Sequence, residues 1–155
     1  MKDEKKSFLS FKIENEIFAI DVKKVLEVLQ MKPITTIPKT PDYIKGVINF
    51  RGEIIPVIDA RIKFNLKTIE NYSKSVIIIL NFKSQDKNKI IGAIVDSVMD
   101  VMEIKEMDVK DLPEIGSRYN LEFIYGMIKH NEDFIMILDV DKVFSVEELN
   151  IVKEK

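Results

Sequence analysis

The most regular feature of the chain is alternation. Along residues 8–13, Leu9, Phe11 and Ile13 fall on one side and Phe8, Ser10 and Lys12 on the other, the period of a strand with one buried face. Glu14-Asn15-Glu16 breaks the pattern as a turn, and Ile17 to Ile20 returns as the partner strand. Further along, Val47 to Phe50 and Ile54 to Ile58 read as two strands around Arg51-Gly52-Glu53, with Gly52 suited to a backbone that needs positive φ. Pro56 has no N–H to donate, which places it on an edge or at a bulge. Ser75 to Phe82 is a continuous apolar strand. After a polar loop over 84–89, Ile90 to Val95 is another, and Gly92 within it marks a bulge or a close backbone contact.

The segments between strands carry their own signals. Asp21 is a candidate N-cap for a short helical segment, with Val22, Val25, Leu26 and Leu29 at three-four spacing. Its valine content predicts one or two turns that run on into extended chain. Pro33, Pro38 and Pro41 keep residues 32–41 extended. Thr40 as cap, Pro41 at the first helical position and Gly46 just past the end then predict one helical turn. Residues 61–72 are polar with Phe64, Leu66 and Ile69 as anchors, and 105–121 is a polar loop long enough to be variable or mobile. Ser145 to Glu148 is a capping box that opens a short C-terminal helix anchored by Val146, Leu149, Ile151 and Val152.

One block of the pattern occurs twice. Gly46 to Asp59 and Gly126 to Asp139 set glycine against glycine and aspartate against aspartate at one spacing, and Phe64 and Phe144 follow at equal distances. The second turn, His130 to Asp133, lacks the glycine, although Asn131 tolerates the left-handed region. Asp96 to Val101 loosely repeats Asp21 to Val28: a strand, an aspartate, a short amphipathic turn, then an acidic residue before valine. Two quasi-equivalent units of about 70 residues follow, each curled into a small barrel so that strand edges are not left open.

Composition narrows the function classes. Hydrophobic residues make up 46% of the 155-residue chain and charged residues 32%, with a net charge of −2. That supplies a core for one domain and no electrostatic case for nucleic acid or an anionic membrane. Cysteine is absent, which removes disulfides and thiol chemistry. The N-terminus is charged with no long apolar run behind it, unlike a signal peptide, and the longest apolar run, Val76 to Leu80, is far short of a membrane span.

Chemistry is hard to find. The single histidine, His130, sits in a polar turn without soft partners or a nucleophile, so it reads as a surface residue. No glycine-rich phosphate loop is present. Asp59, Asp96 and Asp139 recur at strand ends; a divalent ion is one use of such carboxylates, but the repeat sets Asp59 and Asp139 in different units, and capping of local backbone N–H groups fits better. Glu27 and Arg51 have two readings: a pair across the first unit, or two separately solvated charges. The valine-rich segments 22–28 and 98–101 either line a groove between units for an amphipathic helix or fill the core there. No catalytic residue, cofactor or metal is expected.

Several of these stretches, taken in order, resemble the CheW-like family of chemotaxis coupling proteins over nearly all of residues 8–150. Phe8 to Ile13 with Phe18-Ala-Ile-Asp21 is similar to the family's first hairpin, and Val25-Leu-Glu-Val28 to its V-x-E-[IV] segment. Ile37-Pro-Lys-Thr-Pro41, Tyr43 to Gly52, and Ile54 to Arg61 resemble P-x-x-P, G-V-x-N-L-R-G and I-x-P-V-[IV]-D-L-R; Gly92, Val95-Asp96 and Val98 resemble G-x-x-V-D-x-V. Phe50 and Ala60 stand where the family more often has leucine.

The resemblance implies an all-β fold: two SH3-like five-stranded β-barrel subdomains packed side by side, with short helical turns and a short C-terminal helix. They would form one domain over 8–150, divided at approximately 15–82 and 83–145, with terminal segments crossing over. It implies a non-enzymatic, cytoplasmic adaptor, recruited to membrane receptor arrays. Its partners would be the regulatory domain of the histidine kinase CheA and the tip helices of methyl-accepting chemotaxis receptors, with no nucleic acid and no membrane insertion. Carried over by motif position, the receptor groove is Val25, Glu27, Val28, Val98, Met99 and Val101, and the coupling residues are Glu27, Arg51 and Gly52. The alternative is a generic β-barrel interaction scaffold in another two-component signalling complex.

Overall fold

Among the described residues, five strands come from each half of the chain. The computed structural model describes residues 4–63, 73–111 and 123–143. The first half gives β1 (Lys5–Ile13), β2 (Glu16–Asp21), β3 (Val25–Gln30), β4 (Ile44–Phe50), β5 (Glu53–Asp59) and a one-turn helix, α1 (Ala60–Lys63). The second gives β6 (Val76–Ser84), β7 (Lys87–Val95), β8 (Ser97–Lys105), β9 (Ile124–His130), β10 (Asp133–Leu138) and α2 (Val140–Val143). Three-residue 3₁₀ turns precede β3 at Val22–Lys24 and follow β8 at Glu106–Asp108. Phe64, Leu66, Ile69, Phe144, the capping box at Ser145–Glu148, the helix expected of Val146, Leu149, Ile151 and Val152, and most of the loop expected over 105–121 lie outside the described residues.

The two halves are copies that have exchanged strands. One sheet runs β8-β1-β2-β10-β9 and the other β3-β6-β7-β5-β4. Both share one pattern of pairing: antiparallel, antiparallel, parallel, antiparallel. Each sheet therefore takes the first two strands of one copy and the last three of the other. The cause is the parallel pair: β5 lies beside β7 and β10 beside β2, so the last strand of each copy pairs with the second strand of its sister. The expected division at 82/83 falls inside β6, and β3 to β7 all belong to one sheet.

Hydrophobic burial follows this exchange. Phe8, Ile17, Ala19, Ile104, Ile128, Ile135 and Ile137 form a cluster within the first sheet. Ile48, Phe50, Ile55, Val57, Ile77, Ile79 and Ile94 form its counterpart in the second. A third, larger cluster joins the two sheets, with Leu9, Phe11, Ile13, Phe18 and Ile20 from one and Ile78, Leu80, Phe82, Ile91 and Val95 from the other. Central strands are therefore covered on both faces. This corrects the half-exposed reading of β1: Phe8 and Ser10 are buried as well as Leu9, Phe11 and Ile13.

The duplicated block is repeated in its hydrogen bonds. Thr35 and Val47 exchange two backbone bonds, and so do Lys110 and Met127. The Asp59 amide donates to the Tyr43 carbonyl (2.8 Å) and the Asp139 amide to that of Phe123 (2.9 Å). Asp59 and Asp139 then cap α1 and α2, each accepting from the amide two residues on (2.9 and 3.1 Å), as expected of strand-end aspartates. Asp21 likewise accepts from Lys23 N–H at 2.9 Å, and the segment after it is one 3₁₀ turn that runs directly into β3.

Other expectations need correction. No helical turn forms over 40–46; a single bend, in which the Ile44 amide donates to the Pro41 carbonyl (3.0 Å), leads into β4. Gly46 is needed inside β4, where its φ is +149° and the Thr35 backbone passes against it. Pro56 is not on an edge strand, since β5 is paired on both sides. It stands opposite Val47, whose own N–H and C=O point away to Thr35, so that pair needs no donor; the ladder to β7 begins only at Val57. The register runs unbroken through Gly92, so there is no bulge, and the close approach there is by a side chain rather than by backbone: a β-carbon would lie 2.8 Å from an Ile77 methyl. The polar loop expected over 84–89 is a tight two-residue reversal at Gln85-Asp86, both at positive φ, with Ser84 still in β6 and Lys87 to Lys89 already in β7. Residues 97–105 are all strand, with no amphipathic turn.

Candidate functional site

The strands that carry the candidate groove residues, β3 and β8, each lie at one end of a sheet. Register fixes which way their side chains point, because residues opposite each other share a face. Val25 lies opposite Leu80 and Val28 opposite Ile78. Val98 lies opposite Phe11 and Val101 opposite Leu9. All four partners belong to the cluster between the sheets. The valines therefore extend the faces of that shared core outward onto the two edges. Val25 and Val98 pack against the core, whereas Val28, Val101 and Met99 are exposed at 41%, 61% and 42%. Edge strands usually carry charge, and apolar side chains left open on them mark a surface that something else covers. Val25 and Val98 thus help to fill the core, as one of the two readings of these segments has it, while Val28, Met99 and Val101 stay exposed at its margin.

An irregularity in each strand shapes this surface. Register shifts in β8 between the residues opposite Leu9 and Phe11, where Met99 and Asp100 face the single residue Ser10. The buried Ser10 hydroxyl donates to the Asp100 carbonyl (3.0 Å) and accepts from the Asp100 amide (3.1 Å), replacing the missing ladder bonds. This bulge lets Val98 and Val101, three residues apart, point the same way. A matching shift in β3 between Val25 and Glu27 turns Leu26 outward.

Glu27 lies on the other face of β3, opposite Ile79. Arg51 reaches it from the β4–β5 turn: the guanidinium Nη2 donates to Glu27 Oε1 at 3.0 Å, with the side chains 64% and 42% exposed. The guanidinium also lies 4.8 Å from the centre of the Phe50 ring. Arg51 and Gly52 have φ of 52° and 85°, a mirror-image turn whose twist suits the hairpin, and the Gly52 amide donates to Asn49 Oδ1 at 3.2 Å. Of the two readings of Glu27 and Arg51, the pair is the one observed. It is a solvent-exposed pair, worth at most about 1 kcal/mol to stability.

The third recurrent aspartate, Asp96, does something its sequence context did not suggest. It accepts from the Glu14 amide at 2.6 Å and from Arg61 Nε at 2.8 Å, and Arg61 Nη2 bonds its second oxygen. Arg61 Nη1 also reaches Glu14 Oε1 at 3.3 Å. Arg61 is 6% exposed and ties α1 to the β1–β2 turn and to the root of β8. Eighty positions later, Asp141 of α2 accepts from Lys24 Nζ at 3.0 Å and from the Lys83 amide at 2.8 Å. Arg61, Ser10, Lys24 and Asp141 were missed in the sequence because nothing local distinguishes them; each acts on a residue 58 or more positions away or, for Arg61, 35 and 47.

Among the described residues, reactive groups do not converge. His130 is exposed at the end of β9, and among the described residues no three His, Asp or Glu side chains are grouped to hold a metal ion. The Tyr125 phenol donates to Glu106, and this bond, with burial and the carboxylate charge behind it, raises its pKa above the usual 10.0. Among the described residues no helix is long and apolar enough to cross a membrane.

Comparison with known proteins agrees with the geometry. The chemotaxis protein CheW of Klebsiella aerogenes is 35% identical over 145 residues, covering 94% of this chain and 85% of that protein. Its counterpart in Helicobacter pylori is 32% identical over 136 residues, 88% of this chain and 79% of that one. The crystal structure of the scaffolding protein TtCheW from Thermoanaerobacter tengcongensis superposes with a TM-score of 0.80 at 32% identity, covering 94% of this chain and 96% of that one. The CheW-like domain model matches residues 7–148. With its exchanged sheets and apolar edges, the chain belongs to the CheW-like domain family of non-catalytic chemotaxis adaptors.

Proposed function

We propose that this chain couples the cytoplasmic tip of methyl-accepting chemotaxis receptors to the histidine kinase CheA, holding both without altering either chemically. It works in the cytoplasm, recruited to receptor arrays at the membrane. Each sheet, with its own internal cluster, is read as an SH3-like barrel, and the receptor's helical tip as lying along the groove that the two edge strands border. The observation that carries this reading is the continuation of the inter-sheet core onto both edges by Val25 and Val28 on β3 and by Val98 and Val101 on β8, with Met99 exposed in the bulge between them. An amphipathic helix offers the apolar stripe such a surface needs. Glu27, which its motif position assigns to the groove, lies on the opposite face of β3 from Val25 and Val28, and with Arg51 and Gly52 it makes up the polar coupling set at this edge.

The kinase surface lies elsewhere in this reading. Ile54 and Phe134 occupy equivalent places one residue into β5 and β10, and they are exposed at 74% and 58%. Each offers an apolar anchor at the tip of a hairpin, one per sheet, to the regulatory domain of the kinase. The test is a chemical-shift map of the labelled protein, first with a receptor-tip fragment and then with that kinase domain. Shifts at 25–28 and 98–101 with the first, and at 54 and 134 with the second, are expected. One patch common to both would overturn the division, and no shift with either would overturn the function.

A further inference from the structure

The helices α1 and α2 are equivalent in the duplicated architecture, and each sends its second residue to the opposite sheet. Arg61 on α1, which follows the second sheet, binds Glu14 at the β1–β2 turn of the first and Asp96, the residue before β8. Asp141 on α2, which follows the first sheet, binds the Lys83 amide near the end of β6 in the second and Lys24, the residue before β3. The two contacts have the same place and opposite polarity. Arginine meets carboxylates on one side; a carboxylate meets lysine and an amide on the other. Each one grips the root of an edge strand that carries candidate groove residues.

The contacts differ in strength. The Arg61 side chain is 8% exposed and is shared between two carboxylates, a buried arrangement that resists change. Lys24 and Asp141 are 30% and 35% exposed, so solvent and salt weaken the attraction. We propose that Asp141, through Lys24, is a positioning residue for receptor docking: it holds the root of β3 so that Val25 and Val28 stand in line with the inter-sheet core. This rests on the docking reading above. The Lys24–Asp141 contact is the compliant joint of the two, and β3 is the edge whose placement responds when it is loosened.

The test uses Asp141→Asn, Lys24→Met and the double variant of the full chain. Asparagine keeps an oxygen for the Lys83 amide while removing the charge, and methionine keeps most of the lysine stem. Amide hydrogen exchange at Val25 to Val28 in the free protein is expected to quicken in either single variant, with no further change in the double, because the two residues act as one unit. The receptor-fragment Kd is expected to rise about fivefold in each variant, the factor that corresponds to about 1 kcal/mol, with kinase-domain affinity unchanged. Unchanged exchange at Val25 to Val28, additive single effects, or equal loss for both partners would overturn the proposal. If the unsubstituted chain binds no receptor fragment, the docking reading fails alone, and the exchange data still decide whether Asp141 holds β3.

Discussion

Gly46 runs so close to Thr35 that a β-carbon on it would lie 2.0 Å from the Thr35 carbonyl oxygen. That oxygen cannot move away, because it accepts from the Val47 amide at 2.9 Å. The φ of +149° adds strain for any other residue. Gly46→Ala is therefore expected to destabilise the fold by about 3 kcal/mol, more than an ordinary surface change. Denaturant unfolding followed by circular dichroism measures it. Gly126 is the equivalent position, where a β-carbon would lie 2.5 Å from a Val109 methyl and 2.9 Å from the Lys110 oxygen. A Gly46→Ala protein as stable as the parent would show that the Thr35 backbone is not held against β4.

Arg51→Ala separates coupling from stability. The pair with Glu27 is exposed on both sides, so its loss costs about 0.5 kcal/mol, and the positive φ adds nothing to that, because arginine already carries a β-carbon there. The variant should remain folded at room temperature while kinase activation in a reconstituted receptor assembly falls. Arg51→Lys keeps the charge but loses the guanidinium plane over Phe50, and is expected to recover only part of the activity. Full activation by Arg51→Ala would remove Arg51 from the coupling set.

The strand pattern was largely legible, because period-two alternation and turn residues are local quantities. The hairpins at 8–20 and 46–59, their repetition and the capping aspartates could be read directly. The strand exchange could not. A sequence repeat says that two units share a design, but β5 finding β7 is decided by parallel pairing across more than 30 residues, and nothing local encodes it. The valines of β3 and β8 are visible as a group; the shared orientation of Val98 and Val101 depends on the β8 bulge opposite Ser10, a residue that alternation places on the solvent side. Arg61 and Asp141 were overlooked for the same reason, since a charge after a capped aspartate looks like any other surface charge until the opposite sheet is in place.

Arg61→Met should show the cost of orphaned charge. Removing the guanidinium leaves Asp96 with only the Glu14 amide among these partners and leaves the Glu14 carboxylate without its arginine. Breaking one side of a buried ion pair costs about 3–5 kcal/mol, enough to unfold much of a marginal domain. The paired change Arg61→Met with Asp96→Asn is expected to regain part of that loss, measured as the shift in the urea midpoint at constant slope. Loss of less than about 1 kcal/mol in the single variant would mean that Arg61 does not join the sheets.

The last prediction concerns a stabilising change. Ala60 opens α1 and borders a cavity of about 30 Å³ in the inter-sheet core, lined also by Phe11, Ile20, Ile78, Leu80 and Val140. The walls are apolar, so the space gains nothing from a water molecule. At about 24 cal/mol per Å³, filling it is worth about 0.7 kcal/mol. Leucine at 60 carries more volume than the cavity alone, and the gain depends on Leu80 and Val140 shifting by a fraction of an ångström. Ala60→Leu is expected to raise the thermal midpoint by a few degrees and to leave receptor binding intact, because the cavity lies behind β6 and β7 rather than at the exposed edges. A lowered midpoint would show that the core is already full there and that overpacking strain outweighs the filled space.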